Sequence, residues 1–447
     1  MAAAFDLVLK GGTVVSPTSV FVADIGVSSG VIAAVGDLTH ASAAETVNVT
    51  GLHVVPGAID TQVHFREPGL EHKEDIESGT RAAVAGGVTT IFEMPNTNPL
   101  TTSAETLADK LARARGRAWC DHSFFVGATE ENSQDLAGLE MLPGTPGIKV
   151  FMGSSTGPLL VDKDATLRRV MQNGRRPMPV HAEDEARLRH LKATLTPTHA
   201  RQHPDMRDAE AARLATSRLI RLCAETGRPV HILHISTLEE LPLLRDAKLA
   251  GLPVTCEVTP QHILLGEEDY ERIGTLAQMN PPVRGGAHRT AILLAVQRGL
   301  FDVFGSDHAP HTLEEKAKPY PSSPSGMPGV QTLAPLVYDL ALRGGISLTG
   351  AVRMLSQRPA ELYGVARKGL IDKGFDADLA VFDFAADFEV TKPWLQSKCG
   401  WSPFEGRRLK AKLIHTLVRG RFAVRDGELS EAGRGRPARF TWKPHAV

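Results

Sequence analysis

Near the start of the chain the segment Ile59–Arg66, IDTQVHFR, closes an apolar run with polar residues spaced by two: Asp60, Gln62, His64 and Arg66. Alternation of that kind sends one set of side chains to one face of a strand. If His64 holds a metal, a second ligand belongs two residues earlier, where this chain has Gln62, and a neutral amide is a poor metal ligand. Polar residues also close, or lie within, other short apolar runs. Asn96 follows VTTIFEM, Lys149 lies in GIKVFM, His181 in MPVHAE and His234 in VHILHIS, and Asp307 and His308 follow FDVFGS. One histidine at a strand end is more often a satisfied structural residue. Three histidines and an aspartate at matching ends of different strands converge on one spot, and nitrogen ligands with a carboxylate suit zinc. A zinc that keeps one position open lowers the pKa of its water from 15.7 to about 7. Asp307 beside it would take up the proton and pass it to a leaving nitrogen. The plainer reading of Asp307 is a helix N-cap ahead of HAPHTLEEK. Lys149 cannot ligate a cation while protonated. Buried, its amine can add carbon dioxide, and the carbamate is an anion able to bridge two metals. The plainer readings of Lys149 are an anion-binding lysine or a strand-edge lysine facing solvent.

These residues need a frame that brings strand ends together. Between about 58 and 367 eight short apolar runs alternate with helical patterns such as SAETLADKLARARG, AEAARLATSRLIRLCAETG and TLEELPLLRDAKLAG. Eight strand–helix units predict an α/β fold, a (β/α)8 barrel, whose chemistry occupies the C-terminal ends of the strands. A doubly wound open sheet is the alternative from pattern alone. No GxGxxG follows the first of these runs, which counts against a dinucleotide-binding version. The two chain ends have another texture. FDLVLKGGTVV and ETVNVTGLHVVPG at one end, ADLAVFDF and AKLIHTLVRGRFAVRDGEL at the other, read as short strands joined by glycine-containing turns. They predict a single β-sandwich domain built from residues 1–57 and 368–447, with the barrel at 58–367. The stretch KPYPSSPSGMPG, Lys318–Gly329, reads as a loop that either covers the barrel's top or merely connects.

The 447 residues carry a formal net charge of −1, with 42% hydrophobic and 23% charged. That balance gives no support for nucleic acid or an anionic membrane as partner, and a small-molecule substrate is the partner expected. Cys120, Cys223, Cys256 and Cys399 are far apart and form no CxxC pair, so buried reduced thiols are expected. MAAAFDLVLKGG lacks the features of a secretion signal and no apolar run reaches about 18 residues, so the cytoplasm is the expected compartment.

The motifs PGAIDTQVHFREPG, MPNTNP, GIKVFMGSS, VHAED, HILHIS, CEVTPQH, MNPPVR and GSDHAPHTLEEK, in that order, resemble the dihydroorotases within the amidohydrolase superfamily, over essentially the whole chain. The resemblance implies reversible ring closure of N-carbamoyl-L-aspartate to (S)-dihydroorotate, in pyrimidine biosynthesis. It implies that His64, His181 and His234 bind zinc and that Lys149 is a carboxylated bridging ligand. It further implies that Asp307 binds metal and acts as general acid and base. Arg66, Asn96 and His311 would hold the substrate carboxylate and Asn280 the pyrimidine ring. Two departures stand out: Gln62 where the family has histidine, and Gln261-His262 where it usually has two histidines. The expectation is one firmly held zinc on Lys149, His181 and His234, and a weaker second position on His64, Asp307 and the Gln62 carbonyl oxygen. A homodimer or homotetramer is expected. The rival readings are an allantoinase or hydantoinase, and a non-catalytic subunit that supports aspartate transcarbamoylase.

Overall fold

The computed structural model describes residues 4–154, 159–430 and 435–441. The alternating middle of the chain forms the predicted barrel. Its strands are Ala58–Val63, Val88–Glu93, Asp121–Phe124 continued by Val126–Gly127, Ile148–Phe151, Met178–His181, Val230–Ile232, Val254–Val258 and Val303–Phe304. Neighbouring strands pair in parallel. The ring closes where Val63 bridges His308 and the His64 amide donates to the His308 carbonyl at 2.7 Å. Strands buried on both faces read as continuous apolar runs rather than alternating ones. That explains why strands such as Val88–Glu93 and Met178–His181 were visible as runs, whereas Ala58–Val63 buries Asp60, Thr61 and Gln62 as well.

The intervening helices are set by ordinary capping. Ala104–Ala114 begins at Ser103, whose hydroxyl accepts from the Thr106 amide while the Thr106 side chain reaches back to the Ser103 amide. Ala209–Thr226 starts at Asp208 and stops at Gly227, held at φ +70°, a left-handed turn that glycine adopts at no steric cost. Its buried face, Ala215, Leu219, Leu222 and Cys223, packs into the main core.

The terminal strands build one nine-stranded sheet. Phe5–Val15 pairs with Val20–Ser28, Ala43–Asn48 and His53–Pro56, and His53–Pro56 runs antiparallel to Leu379–Asp383. Leu379–Asp383 continues through Lys412–Val418 and Arg421–Arg425. The pairs Val54↔Val381 and Val55↔Ala380 are therefore the seam between the two ends of the chain. Leu7, Leu9, Val14, Ile25, Ile32, Val54, Leu379 and Leu417 form its own apolar core.

Two stretches of the C-terminal part leave this sheet for the barrel. Residues 390–407 reach the top, where Trp401 donates to the His311 carbonyl at 2.7 Å. Residues 435–441 reach the bottom. There Pro437 bridges His122 at the start of the third barrel strand, and Ala438 packs with Ile59, Phe92, Phe125 and Tyr363. The four cysteines are free and buried. Among the described residues no helix is long and apolar enough to cross a membrane.

Candidate active site

The C-terminal ends of the strands hold a pocket lined by Gln62, His64, Arg66, Lys149, His181, His234, Asn280 and Asp307. Phe151, Ala309, Ser325 and Gly326 complete its wall. Eight of the ten residues singled out in the sequence thus meet at one place. The other two stand directly behind it: Asn96 against His64, and His311 against Arg66. Ser325 and Gly326 belong to the Pro/Ser-rich stretch, which therefore covers the pocket rather than merely connecting. The free space is about 20 Å³, room for one water-sized sphere. A ring-sized substrate enters only when side chains or this cover draw back.

Three of the lining residues follow strand ends in left-handed backbone: Arg66 at φ +66°, His234 at +38° and Asp307 at +44°. Such conformations cost of order 1–3 kcal/mol each in non-glycine residues and persist where the surroundings over-determine them. They turn each side chain from the barrel wall toward the axis.

The donor atoms come as two facing pairs. His64 Nδ1 lies 2.7 Å from Asn96 Oδ1. With that carbonyl accepting, Nδ1 carries the proton and the Nε2 lone pair faces Asp307 Oδ1 at 3.2 Å. Two acceptors facing each other repel unless a cation sits between them. His181 Nε2 is 2.8 Å from Glu183 Oε2, which leaves the Nδ1 lone pair facing His234 Nε2 at 3.0 Å. Glu183 is in turn clamped by Arg207. Burial alone would raise the Glu183 carboxyl, but Arg207 and His181 outweigh it and hold it well below the usual range. Burial pushes His64, His181 and His234 down, so their neutral, ligand-competent forms are favoured. Among the described residues no three His, Cys, Asp or Glu side chains form a closed ligand group. The remaining donors are of other types: the Lys149 amine and the Gln62 amide oxygen. The donor chemistry as a whole fits a divalent cation.

Lys149 is buried on the fourth strand, and burial lowers its amine to about 7 against the opposing pull of Asp307 and Glu257. Its Nζ sits 4.5 Å from the Phe151 ring centroid, with no hydrogen bond or ion pair among the described residues. This is no solvent-facing lysine. Gln62 Nε2 donates to Asp307 Oδ1 at 2.9 Å, while its Oε1 is buried without a hydrogen-bond partner among the described residues. Asp307 caps no helix, because Thr312 caps Leu313–Lys316.

Arg66 is 1% exposed. Its Nε donates to the Pro310 carbonyl at 3.1 Å, and its Nη1 is buried with no hydrogen-bond partner among the described residues. Burial lowers this guanidinium to about 10, with Asp307 pulling the other way. Glu67, the neighbouring acid, is taken by Arg117 at 2.7 Å. His311 is held by its own surroundings, with Nε2 3.0 Å from the Ser325 carbonyl and Nδ1 3.2 Å from Lys73 Nζ. Asn280 Oδ1 meets His203 Nε2 at 3.0 Å. His308 points away, taking the Gly329 amide on Nδ1 at 3.0 Å, and His262 is tied to Thr259 and the Pro281 carbonyl.

Sequence reasoning passed over Glu183, Arg207, His203 and Lys316. Glu183 had a signal, since it lies two residues beyond His181, the spacing that linked Gln62 to His64. Lys316 had none: its ammonium is buried under the cover, bonding the Gln278, Pro324 and Gly326 carbonyls at 2.9–3.1 Å.

The sequence profile of the amidohydrolase family matches residues 53–422. The chain belongs to the amidohydrolase family. A dihydroorotase of Halobacterium salinarum is 38% identical over 390 residues, 86% of this chain and 89% of that protein. An allantoinase of Rubrobacter xylanophilus is 36% identical over 447 residues, 97% of each. Among solved structures, an L-hydantoinase (dihydropyrimidinase) from Arthrobacter aurescens superposes with a TM-score of 0.92 at 29% identity, covering 97% of this chain and 99% of that one. This amidohydrolase is accordingly a hydrolase acting on cyclic amides. Its fold is that of the hydantoinase barrel with a sheet of terminal strands.

Proposed function

We propose that this amidohydrolase interconverts N-carbamoyl-L-aspartate and (S)-dihydroorotate, a step of pyrimidine biosynthesis, with zinc at the strand ends. The observation that carries the reading is the Arg66 guanidinium. A buried Nη1 with no partner among the described residues, beside metal-type donors, is a costly arrangement unless the substrate brings an anion to it. Dihydroorotate carries one carboxylate, and arginine suits carboxylates.

Lys149, His181 and His234 would hold one zinc; His64, Asp307 and the Gln62 amide oxygen are the donors for a weaker second position. When bound, the metal supplies Lewis acidity and lowers the pKa of a water. The protein's own groups do the rest. Arg66 binds the carboxylate, and Asn96 fixes the His64 tautomer. Asn280, held by His203, faces the ring. Gln62 and His64 both address Asp307 Oδ1, which leaves Oδ2 as the atom that takes up a proton and delivers it to the ring nitrogen as the amide bond breaks. In the closing direction the same oxygen removes that proton. The cover of Ser325 and Gly326 excludes water around this exchange.

The allantoinase reading is favoured by the Rubrobacter relative, which matches 97% of this chain. Allantoin has no carboxylate and would leave Arg66 Nη1 unpaired. Initial rates with dihydroorotate, allantoin and dihydrouracil, alongside metal analysis of the same preparation, decide the matter. Turnover of dihydroorotate well above the other two is the expected result, and faster hydrolysis of allantoin overturns the proposal.

A further inference from the structure

At the opposite end of the barrel a second cavity of about 800 Å³ opens between the terminal sheet, the end of the helix Ala104–Ala114 and the returning C-terminal stretch. It shares no lining residue with the catalytic pocket. Its position follows from Asp121, the first residue of the third barrel strand, which pairs with Arg419 in the cavity wall. Two tight hairpin tips meet there, Ser29-Gly30 and Arg419-Gly420, all four residues at positive φ. They pack so closely that a side chain on Gly30 would lie 3.1 Å from the Arg419 carbonyl.

The charge in this cavity is unbalanced. Among the described residues the wall carries the guanidiniums of Arg115, Arg419, Arg421 and Arg436 against one carboxylate, that of Asp6. Asp6 is occupied by the Ser29 amide, and Arg419 is matched by Asp121. The side chains of Arg115, Arg421 and Arg436 have no hydrogen-bond or ion-pair partner among the described residues. Several arginines elsewhere on the surface are paired: Arg168 with Glu225, Arg213 with Glu210, Arg425 with Glu45. Cations gathered from three segments into one concavity repel each other, and a low-dielectric wall concentrates their field. The arrangement is relieved by an anion of several charges. A lone carboxylate would engage one or two of these groups, whereas linked phosphates present acceptors to all of them, in the fork geometry that guanidinium favours. The volume lies within the range of small-molecule sites and exceeds what a single phosphate fills.

We propose that the cavity of Arg115, Arg419, Arg421 and Arg436 binds a polyphosphate chain, either free or as the tail of a nucleotide. The test is calorimetric titration of the full chain, at low ionic strength, with inorganic tripolyphosphate in one arm and a magnesium-free ribonucleoside triphosphate in the other. Saturable binding at one site is expected. The exposed triple variant Arg115→Gln/Arg421→Gln/Arg436→Gln should weaken it roughly tenfold or more. Arg168→Gln/Arg213→Gln, which removes as much surface charge per residue elsewhere, should leave it unchanged. Equal affinity in both arms assigns the site to the phosphate chain, and tighter binding of the nucleotide assigns it to the nucleotide. Circular dichroism and single variants at Arg421 and Arg436 guard against a folding defect. The proposal is overturned by no binding of either probe at millimolar concentration, by unchanged affinity in the triple variant, or by equal weakening in the control.

Discussion

Gln62 turns its amide nitrogen, not its oxygen, to Asp307, and the oxygen is left buried with no hydrogen-bond partner among the described residues. A histidine at this position would offer a lone pair where the amide offers a hydrogen. Gln62→His is therefore expected to raise the zinc bound per chain, measured by metal analysis after dialysis against dilute zinc. Unchanged zinc content would mean that the amide oxygen already ligates. At Arg66 the expectation runs the other way. Arg66→Lys keeps the charge and loses the fork, so kcat/KM for dihydroorotate should fall about ten- to hundredfold, with zinc content unaltered. A proportionate fall for dihydrouracil, which has no carboxylate, would show that Arg66 acts on the fold rather than on the substrate. The residues legible in the sequence were those whose chemistry is written in their type: the imidazoles, Lys149, Asp307 and Arg66. What the sequence did not disclose was pairing. That Asn96 sets the His64 tautomer and Glu183 that of His181 depends on side chains from separate strands or the next turn, and spacing within one run gives no distances between runs.

The elements were legible for a related reason: the buried strands are short, mostly apolar runs, and several of the helices between them carry their own caps. The short segments that shape the pocket's rim were not. Residues 199–206 form two brief helical turns with no periodic face, yet they deliver His203 beneath Asn280. His203 is enclosed by Tyr320, Met279 and Asn280, and burial lowers its pKa to about 3, below the usual 6.5. Its neutral form is the folded one. The unfolded chain therefore binds the extra proton, and this stabilising contribution is complete above pH 6.5 and lost as pH falls toward 3. The expected slope is about 1.4 kcal/mol per pH unit within that window. Urea denaturation at stepped pH checks it: His203→Gln should start less stable at pH 7 and show a shallower acid loss. Parallel curves for the two proteins would exclude His203 as the titrating group.

The joint between the terminal sheet and the barrel belongs to the whole molecule. Lys368 stands at that joint, almost fully buried, against Asp121 of the third barrel strand at 2.8 Å and against Asp378 beside the sheet strand Leu379–Asp383. Arg419 from the hairpin of the same sheet completes the group on Asp121. Both carboxylates are buried, so the ammonium is what allows them to share the space. Neither apolar patterning nor motif pointed to this cluster, because Asp121 lies far in sequence from Lys368, Asp378 and Arg419, and all four look like ordinary surface charges in the sequence. Replacing Lys368 by Met keeps much of the volume and removes the charge. It should cost about 3–5 kcal/mol, since among the described residues the buried Asp121 and Asp378 carboxylates are then left with Arg419 alone as a cation to offset them. If sheet and barrel unfold as one unit, the denaturation curve of Lys368→Met shifts as a whole, with tryptophan fluorescence and circular dichroism coincident. Adding Asp121→Asn and Asp378→Asn to Lys368→Met should recover part of the loss, because the repulsion disappears with the charges. A triple variant no more stable than the single one would show that Lys368 acts through packing and not through its charge.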